Sequence, residues 1–261
     1  MGLHRETRRL RQIGVADYTR RLLKNRLVGL ANHLGPQRYR CPCCGWSGAR
    51  FLDYFGKGYR VKNIVCPGCG SQPRHRGLLV ILKRELSALS GFTRVLHFAP
   101  EKALAFALAQ RSDIHYFTSD LRMREIDFRA DATCLPLRGE SIEFVISSHI
   151  LEHIQHDHLA LNEIARVMAP GARALILVPM RRQWPDNAPT IEFGAPNPEL
   201  DNHWRLYGLD LADRVRQVGL QCSIERLDLA VPQSDAVAYG LVPEPLFVAA
   251  KPATEANQAT R

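Results

Sequence analysis

Residues 131–153, DATCLPLRGESIEFVISSHILEH, decide how the rest of this chain is read. Asp131 opens a loop, Ile142 to Ile146 form a short apolar run with β-branched residues, and Ser147, Ser148 and His149 make a polar cluster at its end. A run of that length bounded by turn residues predicts a buried parallel strand. The polar edge that follows it is where an open α/β sheet holds a ligand, outside the carboxyl ends of its strands.

Working outward, RVLHFA at 94–99 and HYFTSDL at 115–121 predict two more short strands, each ending in small or polar residues. Pro100 to Gln110 predicts the helix between them, with proline at its first position, where a missing N–H costs nothing, and Glu101 in the first turn. Downstream, Asp157 to Ala169 predicts a helix ended by Pro170 and Gly171, and Ala172 to Pro179 a further strand.

These residues carry a resemblance. Asp120 after the second strand, the Asp131-Ala132 pair, the strand ending in Leu151-Glu152-His153, then VMAPG at 167–171 and ALILVP at 174–179, in this order, resemble a class I S-adenosylmethionine-dependent methyltransferase of the type 11 kind. The resemblance spans roughly residues 90 to 250 and implies an α/β, Rossmann-like seven-stranded sheet with S-adenosyl-L-methionine as cofactor. It implies cofactor contacts at Phe98, Ala99, Glu101, Asp120, Leu121, Asp131, Ala132 and His149. Asp120 would take the ribose hydroxyls, because one carboxylate can accept from both, and Asp131 with the Ala132 backbone would lie near the adenine amino group.

One departure stands out. The family usually has an acidic residue and a Gly-x-Gly turn after the first strand, letting backbone approach the cofactor; here residues 97–101 read HFAPE. Ala99 cannot take a positive φ cheaply, so this turn is expected to differ in shape. Glu101 either pairs with the ligand's ammonium group or only caps the helix.

His149 and His153 are the candidate catalytic residues, as bases for an acceptor that must lose a proton; alternatively the LEH stretch packs the cofactor. A metal reading of His149, His153, His156 and His158 lacks a nearby carboxylate pattern to complete it.

Two cysteine pairs precede the core. CPCCG at 41–45 and CPGCG at 66–70 place Cys41, Cys44, Cys66 and Cys69 as two Cys-x-x-Cys pairs, each followed by glycine, with 21 residues between Cys44 and Cys66. Four thiolates on two such knuckles close a tetrahedral site for a structural Zn2+. Iron has the same ligand arrangement. Cys43 competes with Cys44, but only the 41 and 44 pair has the two-residue gap; Cys134 and Cys222 read as small hydrophobes. Phe51, Tyr54, Phe55 and Tyr59 suggest a hairpin whose aromatics fill a minimal core or stack on bases.

The chain therefore divides into a basic amphipathic helical segment at 1–39, a four-cysteine zinc ribbon at 40–72, the methyltransferase domain at 73–251 and a disordered tail at 252–261. No flexible linker follows the ribbon: Leu78, Leu79, Leu82 and Leu86 recur at helical spacing directly after it, leaving Arg74, His75 and Arg76 at the junction facing the pocket or water. Residues 181–208, rich in Pro and Asn with little periodicity, predict a lid that chooses the substrate, within which His203, Arg205 and Tyr207 are candidate acceptor-binding residues or a packed loop anchor. The segments 221–229 and 246–251 finish the sheet as an antiparallel pair.

The net charge of +9 is a property of one end. Residues 1–40 hold ten Lys or Arg against Glu6 and Asp17, leaving the remainder almost neutral. That end could touch RNA, an anionic membrane surface or another protein, or pack on the chain's own body. No apolar run is long enough for a transmembrane segment, and the basic start lacks the apolar core of a secretory signal, so a cytoplasmic location is expected. The acceptor implied is a small molecule or sugar methylated on O or N. Alternatives are an RNA methyltransferase using ribbon and basic helix, or a non-catalytic methyltransferase-like binding module.

Overall fold

The computed structural model describes residues 28, 29, 32, 34–55, 59–89, 93–180 and 187–253. The basic helical segment lies almost wholly outside the described residues, as do positions 56–58 and the tail beyond 253.

Four short strands, β1 (Tyr39–Arg40), β2 (Ser47–Gly48), β3 (Leu52–Phe55) and β4 (Arg60–Val65), form two antiparallel pairs, β1 with β2 and β3 with β4. Helix α1 (Pro73–Ser87) follows at once, then β5 (Thr93–Phe98), α2 (Lys102–Ala109), β6 (Ile114–Asp120), β7 (Phe128–Arg129), β8 (Ile142–Ser148), α3 (Asp157–Val167) and β9 (Met168–Leu177). A hairpin of β10 (Ile191–Asn197) and β11 (His203–Leu206) precedes α4 (Leu211–Gln217), β12 (Gln221–Arg226), α5 (Gln233–Tyr239) and β13 (Pro245–Ala250).

The central sheet has seven strands in the order β12-β13-β9-β8-β5-β6-β7, with β13 antiparallel to both neighbours and the other pairings parallel. Successive side chains on a strand point to opposite faces, and the core splits accordingly. Leu96, Val145, Ala174, Ile176 and Phe247 join α3 and α4 on one face. Val95, Phe144, Leu175, Leu177 and Leu246 join α1 and α2 on the other. The crevice is fixed by this order: β6 lies to one side of β5 and β8 to the other, so connections leaving their carboxyl ends diverge and open a ligand site.

The ribbon has no core of its own. Cys41, Cys43, Phe51 and Cys66 belong to the same buried cluster as α1 and the sheet. Arg76, fully buried, joins the two parts: its guanidinium donates to Ile64 O and Ser71 O on the ribbon side and to Tyr239 O and Gly240 O after α5, and sits 4.1 Å over the Phe51 ring. Arg76 therefore faces neither pocket nor water.

Three local expectations are corrected. Residues 191–206 form a hairpin where an irregular stretch is expected, positions 181–186 of that stretch lying outside the described residues; Gly194 and Pro196 mask strand periodicity, and Asp201 and Asn202, both left-handed at φ 53 and 64, close the turn. Helix α3 stops at Val167 and β9 begins at Met168, because Lys251 Nζ donates to Ala165 O and Met168 O at the helix end. Helix α2 begins at Lys102, with Glu101 at its N-cap position and Pro100 outside it.

Candidate functional site at the carboxyl ends of β5, β6 and β8

Three strand ends supply the site. Ala99 follows β5 with φ 45 and His149 follows β8 with φ 55, both in the left-handed region that favours glycine. Each is pinned by a backbone hydrogen bond: Ala99 N donates to Ser119 O and His149 N to Leu177 O, both at 2.8 Å. Ala99 thus does adopt the positive φ that its side chain disfavours, contrary to expectation, because the ladder to β6 continues through it. Two strained non-glycine residues at adjacent strand ends are characteristic of functional sites.

Asp120 ends β6. Its Oδ1 accepts from the backbone N–H groups of Arg122 and Met123, each at 2.6 Å, which curls the loop and leaves Oδ2 outside that turn. Asp131 Oδ1 accepts from Thr133 N at 2.9 Å and Thr133 Oγ1 at 2.8 Å, fixing the loop ahead of β8.

These residues surround a chamber of about 700 Å³, lined among others by Phe98, Ala99, Asp120, Leu121, Asp131, Ala132 and His149. Ser119 also lines it, and its Oγ is buried without a hydrogen-bond partner. Glu101 is the one expected cofactor contact not on this wall. Its Oε2 accepts from His97 Nε2 at 2.9 Å and its Oε1 from Ser148 Oγ at 2.5 Å, and it makes no side-chain cap bond to α2. Burial pushes this carboxyl up, but the His97 hydrogen bond and charge, His75 and Ser148 together outweigh it and hold it at about 2.

A second chamber, of about 870 Å³, adjoins the first and shares His149, His153 and Asp201 with it. Tyr54, Tyr59 and Arg74 reach it from the ribbon side; Glu152, Met180, Glu199 and His203 line the rest. Burial opposes protonation of His149, but the carboxylates of Glu152 at 3.4 Å and Glu244 at 3.8 Å prevail and raise it above the ordinary imidazole range. Burial lowers His203.

Residues 91–176 match the family model described as a methyltransferase domain. That likeness to a methyltransferase domain runs from β5 through β8 into β9 and takes in the strand ends that surround the first chamber. Among solved structures, the [4+2]-cyclase SpnF aligns over 91% of this chain and 95% of its own, with 15% identity and a TM-score of 0.52, a likeness of fold. A putative methyltransferase in complex with the Haloferax volcanii Trm112 activator covers 69% of this chain and 92% of its own, at 16% identity and a TM-score of 0.49. Haemonchus contortus phosphoethanolamine N-methyltransferase 2 covers 68% of this chain and 52% of its own, at 14% identity and a TM-score of 0.49. No curated protein matches the sequence significantly. No helix of the described residues is long and apolar enough to cross a membrane.

The expected acceptor residues part company. His203 lines the second chamber, whereas Arg205 and Tyr207 line neither. Arg205, 3% exposed, donates to Leu151 O, Ile154 O and Gln155 O at 3.2, 2.6 and 2.6 Å and pairs with Glu192. Tyr207 is fully buried and its hydroxyl donates to Asp157 Oδ2 at 2.7 Å. Arg205 anchors the hairpin to the turn after β8, and Tyr207 ties its end to the start of α3. Of the ribbon aromatics, Phe51 is core, but Tyr54 and Tyr59 face the chamber, which hairpin spacing alone did not separate.

The four cysteines come together as the spacing requires. Their sulfurs lie within 4.8 Å of one another, with Cys41 to Cys69 and Cys44 to Cys66 each at 3.7 Å. Sulfurs about 2.3 Å from a tetrahedral metal stand about 3.8 Å apart, so the set fits such an ion. Gly45 and Gly70, both at φ 74, donate their N–H groups to Cys41 O and Cys66 O, giving two equivalent knuckles. Cys43 stays outside the cluster, its thiol against His75 O.

Proposed function

We propose that this methyltransferase acts on an oxygen or nitrogen of a small-molecule or sugar acceptor held in the second chamber. The observation that carries the reading is the sharing of His149 and His153 between the two chambers; an acceptor in one and a cofactor in the other would meet at that junction.

S-Adenosylmethionine supplies a sulfonium methyl group: as the acceptor's lone pair bonds to the methyl carbon, the carbon–sulfur bond breaks and its electron pair neutralises the sulfonium. The chain's own residues do the positioning, which is most of what an in-line displacement needs. Asp120 Oδ2 would accept from ribose hydroxyls. Asp131 and the Ala132 backbone would meet the adenine edge, and the unpartnered Ser119 Oγ would donate to the bound nucleoside or methionine end. Glu101, engaged by His97 and Ser148, would shape the β5 turn and add a negative field for an ammonium group. His149 and the exposed His153, both on the wall that the two chambers share, are the groups in place to take a proton from a hydroxyl or amine acceptor.

The charge of the second chamber supports a small acceptor over RNA. Glu152, Glu199 and Asp201 line it against Arg74 alone among the lysines and arginines of the described residues there, the reverse of a phosphate-binding groove. The ribbon is assigned a structural zinc, held by Cys41, Cys44, Cys66 and Cys69 with no position left open.

Calorimetric titration of the metal-loaded protein with S-adenosylhomocysteine tests the cofactor site. Micromolar binding lost in Asp120→Ala is the expected result, followed by an acceptor screen read as a mass gain of one methyl group. No binding to the folded wild type would leave a non-catalytic module, and methylation of RNA with an affinity that falls steeply with salt would reverse the choice of acceptor.

A further inference from the structure

Glu152 and His153, on the turn after β8, and His203, at the start of β11, place a carboxylate oxygen and two imidazole nitrogens within 4.8 Å of one another. Glu152 is 1% exposed, and neither of its carboxylate oxygens has a hydrogen-bond partner; Nδ1 of His203 is buried and unpartnered as well. His149 Nδ1 stands 3.4 Å from the same carboxylate without the geometry of a hydrogen bond. A buried carboxylate lacking donors is costly unless a cation neutralises it. All three donor groups, moreover, line the second chamber, and His153 lines the first as well.

We propose that Glu152, His153 and His203 bind a divalent first-row transition-metal ion of the Zn2+ class, a second metal site sharing no residue with the four cysteines; with the metal bound, His153 is a ligand and proton removal falls to His149. Two imidazoles and one carboxylate suit Zn2+ or Fe2+ rather than Mg2+ or Ca2+, which prefer oxygen throughout. Three protein ligands leave coordination positions open, and Glu152, His153 and His203 all border the second chamber. The ligand class that fits those positions is a small molecule offering one or two adjacent oxygen or nitrogen donors, such as a vicinal diol or a hydroxy acid. That last step rests on the reading of this chamber as the acceptor's; the metal site itself does not.

The test is metal content and affinity in the full-length protein with its cysteine site loaded with zinc. Elemental analysis and titration with Zn2+ and with Co2+, whose visible bands distinguish nitrogen and oxygen ligands from thiolates, are run on wild type, Glu152→Gln and His203→Gln, with S-adenosylhomocysteine affinity measured alongside. Expected are two metal equivalents in wild type and one in each variant, or at least a tenfold to hundredfold loss of affinity at the second site, with S-adenosylhomocysteine affinity retained. A wild type that binds one equivalent and no added Co2+ overturns the site while leaving the methyltransferase reading intact. An undiminished second equivalent in both variants overturns it too. Second-site binding without any S-adenosylhomocysteine binding would uphold the metal and sink the functional reading instead.

Discussion

Nε2 of His97, fully buried in β5, lies 2.9 Å from Oε2 of Glu101, while the Tyr116 hydroxyl is 2.8 Å from Nδ1 of the same ring. His97 Nε2 donates to Glu101, Ser148 donates to the other carboxylate oxygen, and the Tyr116 hydroxyl holds the far nitrogen of the ring. The chain ties β5, β6 and β8 together directly beneath the turn that carries Ala99. Glu101→Ala should cost about 2–4 kcal/mol by leaving buried donors unmatched, read as a lower urea midpoint. Because the folded carboxyl is held at about 2 against 4.5 unfolded, its contribution is complete above pH 4.5 and lost as pH falls toward 2, about 3 kcal/mol in all. Glu101→Gln should therefore flatten the acid limb of stability; an unchanged limb would show that this carboxylate is not what the acid attacks.

His75 predicts the opposite kind of residue, a histidine kept neutral. Burial, then the charge of Arg74, lowers it to about 4, and its Nδ1 accepts the Gln72 N–H at 3.2 Å, which a protonated ring could not do. The unfolded state then binds the proton first, so stability is full above pH 6.5 and declines as pH drops through the window from 6.5 to 4. Between about pH 7 and 5 this amounts to about 2 kcal/mol. Denaturant midpoints for His75→Gln at the two pH values should differ by correspondingly less than those of wild type.

Ala99 holds φ 45 with a Cβ. Left-handed backbone costs a non-glycine residue about 1–2 kcal/mol, partly offset in a glycine variant by the greater freedom of its unfolded chain. Ala99→Gly should stabilise by about 0.5 kcal/mol. Ala99→Val, β-branched in the same conformation, should lose about 2 kcal/mol or more and weaken S-adenosylhomocysteine binding, since Ala99 lines the first chamber. Equal stability of the two variants in thermal denaturation would mean that the turn relaxes.

Strand identities, and the gathering of seven of the eight expected cofactor positions around one chamber, are legible because they depend on local pattern: an apolar run closed by Asp120 or by His149 reports both the strand and the end that borders the chamber, and Asp131 marks the loop between them. The convergence of the cysteines is legible for the same reason, two local pairs with a fixed gap. The roles of Arg205 and Arg76 are not. Arginine among aromatic or apolar neighbours reads equally as a ligand contact or a clamp, and only the carbonyls of 151, 154 and 155, or of 64, 71, 239 and 240, decide it. Glu152 and His203 are 51 positions apart, so no spacing rule could pair them; the hairpin that returns His203 to the turn after β8 is itself hidden by Gly194 and Pro196.

Arg76 also sets how the ribbon and the seven-stranded body should melt. Because its guanidinium donates to carbonyls on both sides and Phe51 is buried in the shared cluster, the ribbon cannot loosen without uncovering α1. Metal bound by four thiolates contributes folding free energy directly, so its removal should destabilise the whole described body rather than one end. A chelator is expected to move a single cooperative thermal transition downward, and Arg76→Met, which removes a donor from four carbonyls, should destabilise the metal-loaded protein by about 2–4 kcal/mol. Two separate transitions after chelation, the later one at the metal-loaded temperature, would show that the ribbon unfolds on its own and that the shared cluster does not couple them.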